Sequence, residues 1–272
     1  RVYAGVDVVS AEAVEGFLET IIDTSKCQLT RLEHTNATEM AKVLENSYRA
    51  VNIAFGVEWS RFAEEAGVDL YAIVDAIRVR PTHSNLMYPG IGVGGYCLTK
   101  DPLLASWARQ NLFGGVTGLE MSVNGVSVND QMPRFAFDRF SEVFNNVSGK
   151  RVAFLGVSYR GDVGDTRFTP VEGLLDRVLA AGGDVVLHDP FVSNWVEKDR
   201  PIETNLEIVT SINPDVFIIS TAHTIYKTDE TLSLLMDSSP AMIYDTIGLF
   251  ESHQLQTLLT KHKLSVLGRG DI

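Results

Sequence analysis

The sequence has 272 residues, 45% of them hydrophobic and 21% charged, enough for one large or two ordinary globular domains at ~100–200 residues each. Lys and Arg number 23 against 35 Asp and Glu, a net charge of −12, which argues against a surface built to neutralise nucleic-acid phosphates. Divided after Gly149, the halves carry 12 basic against 18 acidic residues and 11 against 17, so each is −6 and neither is a basic module.

The start, from Arg1 to Asp7, reads as part of a strand with no secretory pattern, and no later window approaches ~18 uninterrupted apolar residues. Export and a membrane span are not expected. Residues 10–23 space Val14, Phe17, Leu18, Ile21 and Ile22 as a helix behind a Ser10 cap, and residues 27–32 alternate as a strand that carries Cys27 as a small core residue. A helical pattern then runs over 37–66 with no Pro and only Gly56 inside. A helix of ~30 residues with little polar relief is a spine, buried by its own domain on one face and by a partner subunit on the other. Asp69 caps a shorter helix to about Ile77, and residues 80–90 read as irregular. Two more helices follow near 101–110 and 120–145, the second with a core stripe of Met121, Val128, Met132, Phe135, Phe137, Phe140 and Phe144, and 145–149 reads as a hinge. From Lys150 the period changes. Strands over 151–156, 184–188, 215–220, 242–245 and 264–267, with a helix at 170–181, predict an α/β fold with a doubly wound parallel sheet, a Rossmann-like C-terminal domain after a helical centre.

The sharpest local feature is the run over 89–102, with Gly90, Gly92, Gly94, Gly95, then Cys97, Lys100 and Asp101. Glycines let backbone approach a ligand or take positive φ. A thiol beside helix N-terminal amides and Lys100 is expected to be a better nucleophile at neutral pH, with Asp101 one turn away on the same side. The competing reading is a tight packing turn. A second constellation is Glu39, Lys42, Glu45, Asn46 and Arg49, in which Lys42 and Asn46, four apart, share a helix face. A cation and an amide together can hold an oxyanion or polarise a water; the alternative is a solvated charged surface. His188 and Asp189 end a strand, where cofactor and structural readings are both open, and the six histidines show no metal-ligand spacing. Two cysteines cannot form a disulfide framework, and free thiols favour a reducing, cytoplasmic setting.

These segments together resemble the nucleotide-sugar 6-dehydrogenase family, also called the UDP-glucose/GDP-mannose dehydrogenases. The family pattern is E-x-x-K-x-x-x-N, then P-G-x-G-x-G-G-x-C-x-x-x-D, then G-K-x-V-A-x-L-G, D-T-R and D-P. This chain has Glu39, Lys42 and Asn46, then 89–101, then 149–156, 164–167 and 188–190 in that order. The resemblance implies oxidation of the C6 alcohol of a UDP-sugar to a carboxylate with NAD as cofactor, in a homodimer built on the long helix. It implies that Cys97 is the nucleophile that traps the C6 aldehyde, that Lys42 with Asn46 stabilises oxyanions, and that Asp101 works with a water. Arg80, Tyr88, Gly94, Tyr159 and Arg160 take substrate-binding roles, although relatives usually end the last pair in Lys; Lys100 and Arg167 take cofactor-contacting roles.

The run over 42–54 resembles the branch acting on UDP-N-acetylmannosamine or UDP-N-acetylglucosamine, while Tyr96 departs from the His common there; UDP-glucose or GDP-mannose is the alternative. The implied domains are 1–34, a remnant of an N-terminal NAD-binding domain, 35–148, helical and central, and 149–272, UDP-sugar-binding. No G-x-G-x-x-G opens a helix after a strand in this sequence. The expectation is therefore a piece of a longer enzyme that is inactive by itself, or a silent nucleotide-sugar-binding and dimerisation module.

Overall fold

A computed structural model describes all residues 1–272. At the start, β1 (Val2–Tyr3) and β2 (Thr30–Arg31) pair in parallel around α1 (Val8–Ile21). The helix cap is Asp7, whose carboxylate accepts from Ser10 N at 2.7 Å, so Ser10 lies inside the first turn and does not cap it. Cys27 sits in a turn, partly exposed, with its N–H on Asp23 O at 3.0 Å; the expected strand shrinks to the two residues that find a partner in β1.

α2 (Thr35–Ala66) is 32 residues long, a span of ~48 Å at 1.5 Å per residue. Gly67, left-handed at φ 70°, ends it by returning its N–H to Ala63 and Glu64 carbonyls. Its buried face is made of small residues, Ser47, Ala50, Ala54, Gly56, Ser60 and Ala63 among them, which let other chain segments come close. Next come α3 (Leu70–Arg78), capped by Asp69, then α4 (Tyr96–Asn111) and α5 (Glu120–Phe144). Within the segment expected to be wholly irregular, Pro81–His83 form one 3-10 turn. α4 begins five residues before the predicted 101. Pro102 therefore lies inside the helix, in its second turn. On α5, Met132 and Phe140 are fully buried as expected, whereas Met121 is exposed in the first turn.

The C-terminal unit contains β3 (Arg151–Leu155), α6 (Val171–Ala180), β4 (Asp184–His188), the small antiparallel pair β5 (Asn194–Trp195) and β6 (Arg200–Pro201), α7 (Leu206–Ser211), β7 (Val216–Ile219), α8 (Asp229–Asp237), β8 (Met242–Asp245), α9 (Ser252–Leu259) and β9 (Lys263–Val266). The five main strands are all parallel in the order β4-β3-β7-β8-β9. The strand order reverses at β3, so the crevice at the C-terminal ends of β3 and β7 is the topological switch point where ligands of such sheets bind.

Central helices and sheet share one core. Val57, Ile91, Met132 and Phe140 pack with Phe154, Leu174 and Tyr244 in a single cluster. Tyr244 stacks on Phe140 at 5.7 Å and donates its buried hydroxyl to Ala136 O at 3.0 Å. The chain end returns to the helices: Gly268 N donates to Glu64 Oε1 at 2.6 Å, Gly268 O accepts from Leu70 N, and Arg139 Nε lies 2.8 Å from Glu64 Oε2. Burial pushes the Glu64 carboxyl above its ordinary value against these compensating bonds.

The switch point is tightly built. Gly156, at φ 98°, has Thr221 Cβ only 2.3 Å from where a Cβ of its own would lie. Gly156→Ala is therefore expected to lower stability by about 2–4 kcal/mol, read as a drop in the urea midpoint; an unchanged midpoint would contradict this packing.

Candidate functional site

On α2, Lys42 and Asn46 are one turn apart. Lys42 Nζ donates to Asn46 Oδ1 at 3.2 Å and lies 3.4 Å from Glu45 Oε2. Asn46 is buried, and its Nδ2 donates to Asp101 Oδ2 on α4 at 2.6 Å. Lys100 Nζ donates to the other oxygen, Asp101 Oδ1, at 3.0 Å. A buried carboxylate needs donors to offset lost hydration, and Asp101 receives one on each oxygen. Cys97 lies in the first turn of α4, exposed and free, with no hydrogen bond to its thiol. The structure thus joins three of the four expected catalytic residues directly and places the fourth one turn before Asp101.

The glycine run has the close packing of the tight-turn reading. At Gly94 an added Cβ would lie 2.5 Å from Tyr159 Cβ and 2.8 Å from Phe168 O, and Gly95, at φ 78°, sits on the Tyr159 ring. Gly95 N also donates to Arg167 O at 3.2 Å. The loop is a close packing surface against the C-terminal unit, and it delivers Cys97 to the start of a helix. Tyr159 is held under the loop, with Arg160 beside it exposed.

Arg167 makes a two-pronged pair with Asp165, at 2.9 and 2.7 Å, which raises its already high pKa. Lys100 and Arg167, the two residues expected to contact the cofactor, are exposed cations, each paired with a carboxylate.

Two expected residues lie apart. Tyr88 donates its hydroxyl to the Asp75 carboxylate, stacks on Tyr71 at 5.9 Å and carries the Arg78 guanidinium over its ring at 4.8 Å. It faces a cleft of about 470 Å³ shared with Asp69, Lys227, Gly248 and Arg269, not the Lys42–Asp101 network. Arg80 is exposed and caps the 3-10 turn through its backbone alone.

Sequence reasoning missed the residues that hold this loop. Asn52 Nδ2 donates to Asn85 O at 2.9 Å, Asn52 Oδ1 accepts from Met87 N at 3.0 Å, and Asn85 Nδ2 donates to Tyr48 OH at 2.6 Å. Together with His83 and Leu86 they line a cleft of about 300 Å³. The available signal was an Asn inside a long helix, where the residue is neutral to unfavourable and so calls for a check of where its side chain bonds.

Asp189 proves to be structural. It is fully buried at the switch point, and its Oδ2 accepts from Val157 N, Ser158 N, Ser158 Oγ and His223 Nε2 at 2.9 to 3.1 Å. His223 Nδ1 accepts from Asp162 N at 2.9 Å, which leaves Nε2 as the donor. Burial alone would raise the Asp189 pKa, but the bonds from His223, Val157 and Phe191 outweigh it and hold it low. Burial pushes His188 down to about 4, where its Nδ1 meets Tyr226 OH at 2.7 Å.

Two family models match this chain. Residues 36–130 match the UDP-glucose/GDP-mannose dehydrogenase family, central domain, and residues 153–252 match the same family's UDP binding domain. The chain belongs to the UDP-glucose/GDP-mannose dehydrogenase family, whose UDP-sugar dehydrogenases use NAD. It is 32% identical over 227 residues to UDP-N-acetyl-D-mannosamine dehydrogenase of Methanocaldococcus jannaschii, covering 84% of this chain and 49% of the relative. Among solved structures it is similar to NDP-N-acetyl-D-galactosaminuronic acid dehydrogenase of Methanosarcina mazei Go1, with TM-score 0.82, 26% identity, and 100% and 58% of the two chains covered. It is also similar to UDP-D-ManNAc dehydrogenase of Pyrococcus horikoshii, with TM-score 0.78, 28% identity, and 100% and 60% covered. The chain spans about half the length of the first of these relatives and about three-fifths of the others.

Because the Asp189 pKa is depressed, its contribution is present above the ordinary carboxylate value near 3.8 and is lost as pH falls through the lower folded value. Asp189→Ala is expected to cost about 2–4 kcal/mol at pH 7, with the difference from the parent narrowing toward pH 3. Thermal melts across that range check it, and a pH-independent difference would refute the assignment.

Proposed function

We propose that the whole protein is an NAD-dependent UDP-sugar 6-dehydrogenase, with UDP-N-acetylmannosamine the favoured substrate and UDP-N-acetylglucosamine the next. The observation that carries this reading is the Lys42–Asn46–Asp101 chain, exposed at Lys42 and buried at Asn46 and Asp101, one turn from the exposed Cys97 thiol. The names of the relatives support the choice of sugar.

NAD, when bound, supplies the hydride acceptor. The C6 alcohol first loses its hydroxyl proton and one hydride to give the aldehyde. The Cys97 sulfur adds to it, the thiol proton passing to the C6 oxygen, to give a thiohemiacetal, and loss of that proton and of a second hydride, to a second NAD, leaves a thioester. Water then splits the thioester, releasing the carboxylate and restoring the thiol. Lys42, with Asn46 beside it, sets positive charge against the oxygen at C6 at each stage. Asp101, held by Asn46 and Lys100, is placed to take a proton from water. Tyr159 and Arg160 contact the sugar nucleotide from the C-terminal unit, and Gly94 gives the loop room to close on Tyr159. Tyr88 and Arg80, which lie apart from the Lys42–Asp101 network within one chain, are assigned to the sugar nucleotide from the 80–90 segment, Arg80 reaching the neighbouring subunit's site.

In this reading 1–34 belongs with a cofactor domain, 35–148 is central and 149–272 binds UDP. Residues 1–272 contain no G-x-G-x-x-G between a strand and a helix, so the isolated chain binds UDP-sugar weakly and does not turn it over. The α2 face carrying Met40, Leu44, Tyr48, Phe55, Trp59 and Phe62 is exposed and is the face we assign to a homodimer. The two free thiols fit a cytoplasmic setting, and no helix is long and apolar enough to cross a membrane.

In the full-length enzyme Cys97→Ser is expected to cut acid formation at least ~10³-fold, following the scale of loss for a covalent nucleophile; product analysis showing unchanged uronate would reject the covalent route. Calorimetry of this chain is expected to show UDP-sugar binding, and its absence would remove the role given to 149–272. Sedimentation at micromolar concentration is expected to show a dimer that Trp59→Glu converts to monomer; a monomeric parent would remove the α2 interface.

A further inference from the structure

The stretch that leads into the cysteine loop has almost nothing of its own to hold it. From Met87 to Gly94 no backbone group bonds to other backbone, and one alone bonds to a side chain: Met87 N donates to Asn52 Oδ1 at 3.0 Å. Backbone outside helices and sheets takes a fixed path where side chains supply the missing partners. Here that partner is a single amide on α2.

The rest of the Asn52 amide faces the same segment. Its Nδ2 donates to Asn85 O at 2.9 Å and to Tyr48 OH at 3.2 Å, and Tyr48 OH also accepts from Asn85 Nδ2 at 2.6 Å. One turn along α2, Gly56 lets the chain lie on the helix, since a Cβ there would stand 2.8 Å from Met87 O. Asn52 and Gly56, four apart, share one helix face. The segment is laid across both.

Tyr88 is the next residue. Its side chain is held at the tip, where the hydroxyl donates to Asp75, the ring stacks on Tyr71 and Arg78 lies over it. The Met87–Asn52 bond holds it at the root. A side chain fixed at both ends has one direction, and only the root depends on α2. We infer that Asn52 is a positioning residue for sugar-nucleotide binding, acting through the Met87–Tyr88 main chain to aim Tyr88; this rests on the reading above in which Tyr88 contacts the sugar nucleotide. Cys97 lies outside its reach, because α4 is fastened separately by the bond from Asn46 to Asp101.

The test is titration calorimetry of the full chain with UDP-N-acetylmannosamine. Tyr88→Ala and Asn52→Ala are each expected to weaken binding at least ~5-fold. The double variant is expected to bind no more weakly than Tyr88→Ala alone, since one effect runs through the other. Asn52→Asp keeps an acceptor for Met87 N and is expected to bind within about two-fold of the parent. Alanine favours a helix more than asparagine does, so the substitution does not itself weaken α2, and circular dichroism checks that every variant folds. Iodoacetamide is expected to label Cys97 of Asn52→Ala at the parental rate. Unchanged affinity in Asn52→Ala, full additivity with Tyr88→Ala, no recovery in Asn52→Asp, or an altered Cys97 rate would each overturn the positioning role and leave the dehydrogenase reading in place. A parent that binds no UDP-sugar, or Tyr88→Ala binding as the parent does, would instead remove the substrate role of 149–272 or of Tyr88, and the role of Asn52 with it.

Discussion

The bond from Asn46 to Asp101 joins two helices through side chains 55 residues apart, and it is buried at 2.6 Å. Removing a carboxylate from water is costly unless donors replace the lost hydration, so α2 and α4 are constrained to the register that brings Asn46 and Lys100 onto Asp101. The consequence for chemistry follows from helix geometry. Lys42 lies four residues before Asn46 and Cys97 four residues before Asp101, so each reactive group stands one turn N-terminal to its half of the clamp on the same face. The cation and the thiol are positioned by a single shared contact that is itself protected from solvent.

A second constraint ties this clamp to the α/β unit. The glycine loop preceding Cys97 can approach Tyr159 and Phe168 because it has no side chains there, and Tyr159 belongs to the loop after β3. That loop is in turn fastened by Asp189, which accepts from two backbone amides, a serine hydroxyl and His223. The shared core around Phe140 and Tyr244, and the return of Gly268 to Glu64, make relative movement of the two units expensive. The joint near 145–149, read from the sequence as a hinge, is therefore braced by the shared core and by the return of the chain to α2.

Much of this was legible in the sequence where one local signal sufficed. The α2 pattern ran without a proline to a glycine that stops it, and β3, β7 and β8 read as unbroken apolar runs because they are buried on both faces. Helices α7, α8 and α9 were not legible, since six to nine residues carry too few turns for a periodic signal. Lys42, Asn46, Cys97 and Asp101 could be named from spacing and resemblance. Their junction could not, because nothing within α2 states which residue of α4 it meets. The same holds for Asn52 with Asn85 and for His223 with Asp189, pairs 33 and 34 residues apart. His188 and Asp189 were ambiguous for a related reason: a polar pair at a strand end looks alike whether it faces a ligand or, as here, a buried network.

The central claim is that the clamp presents Cys97 to the sugar nucleotide. Alkylation by iodoacetamide, mapped by mass spectrometry at Cys97 and at the partly buried Cys27 of the same chain, measures this directly. The account predicts that a UDP-sugar slows modification of Cys97 while leaving the rate at Cys27 unchanged. Equal rates at Cys97 with and without a UDP-sugar that calorimetry shows to be bound would contradict it.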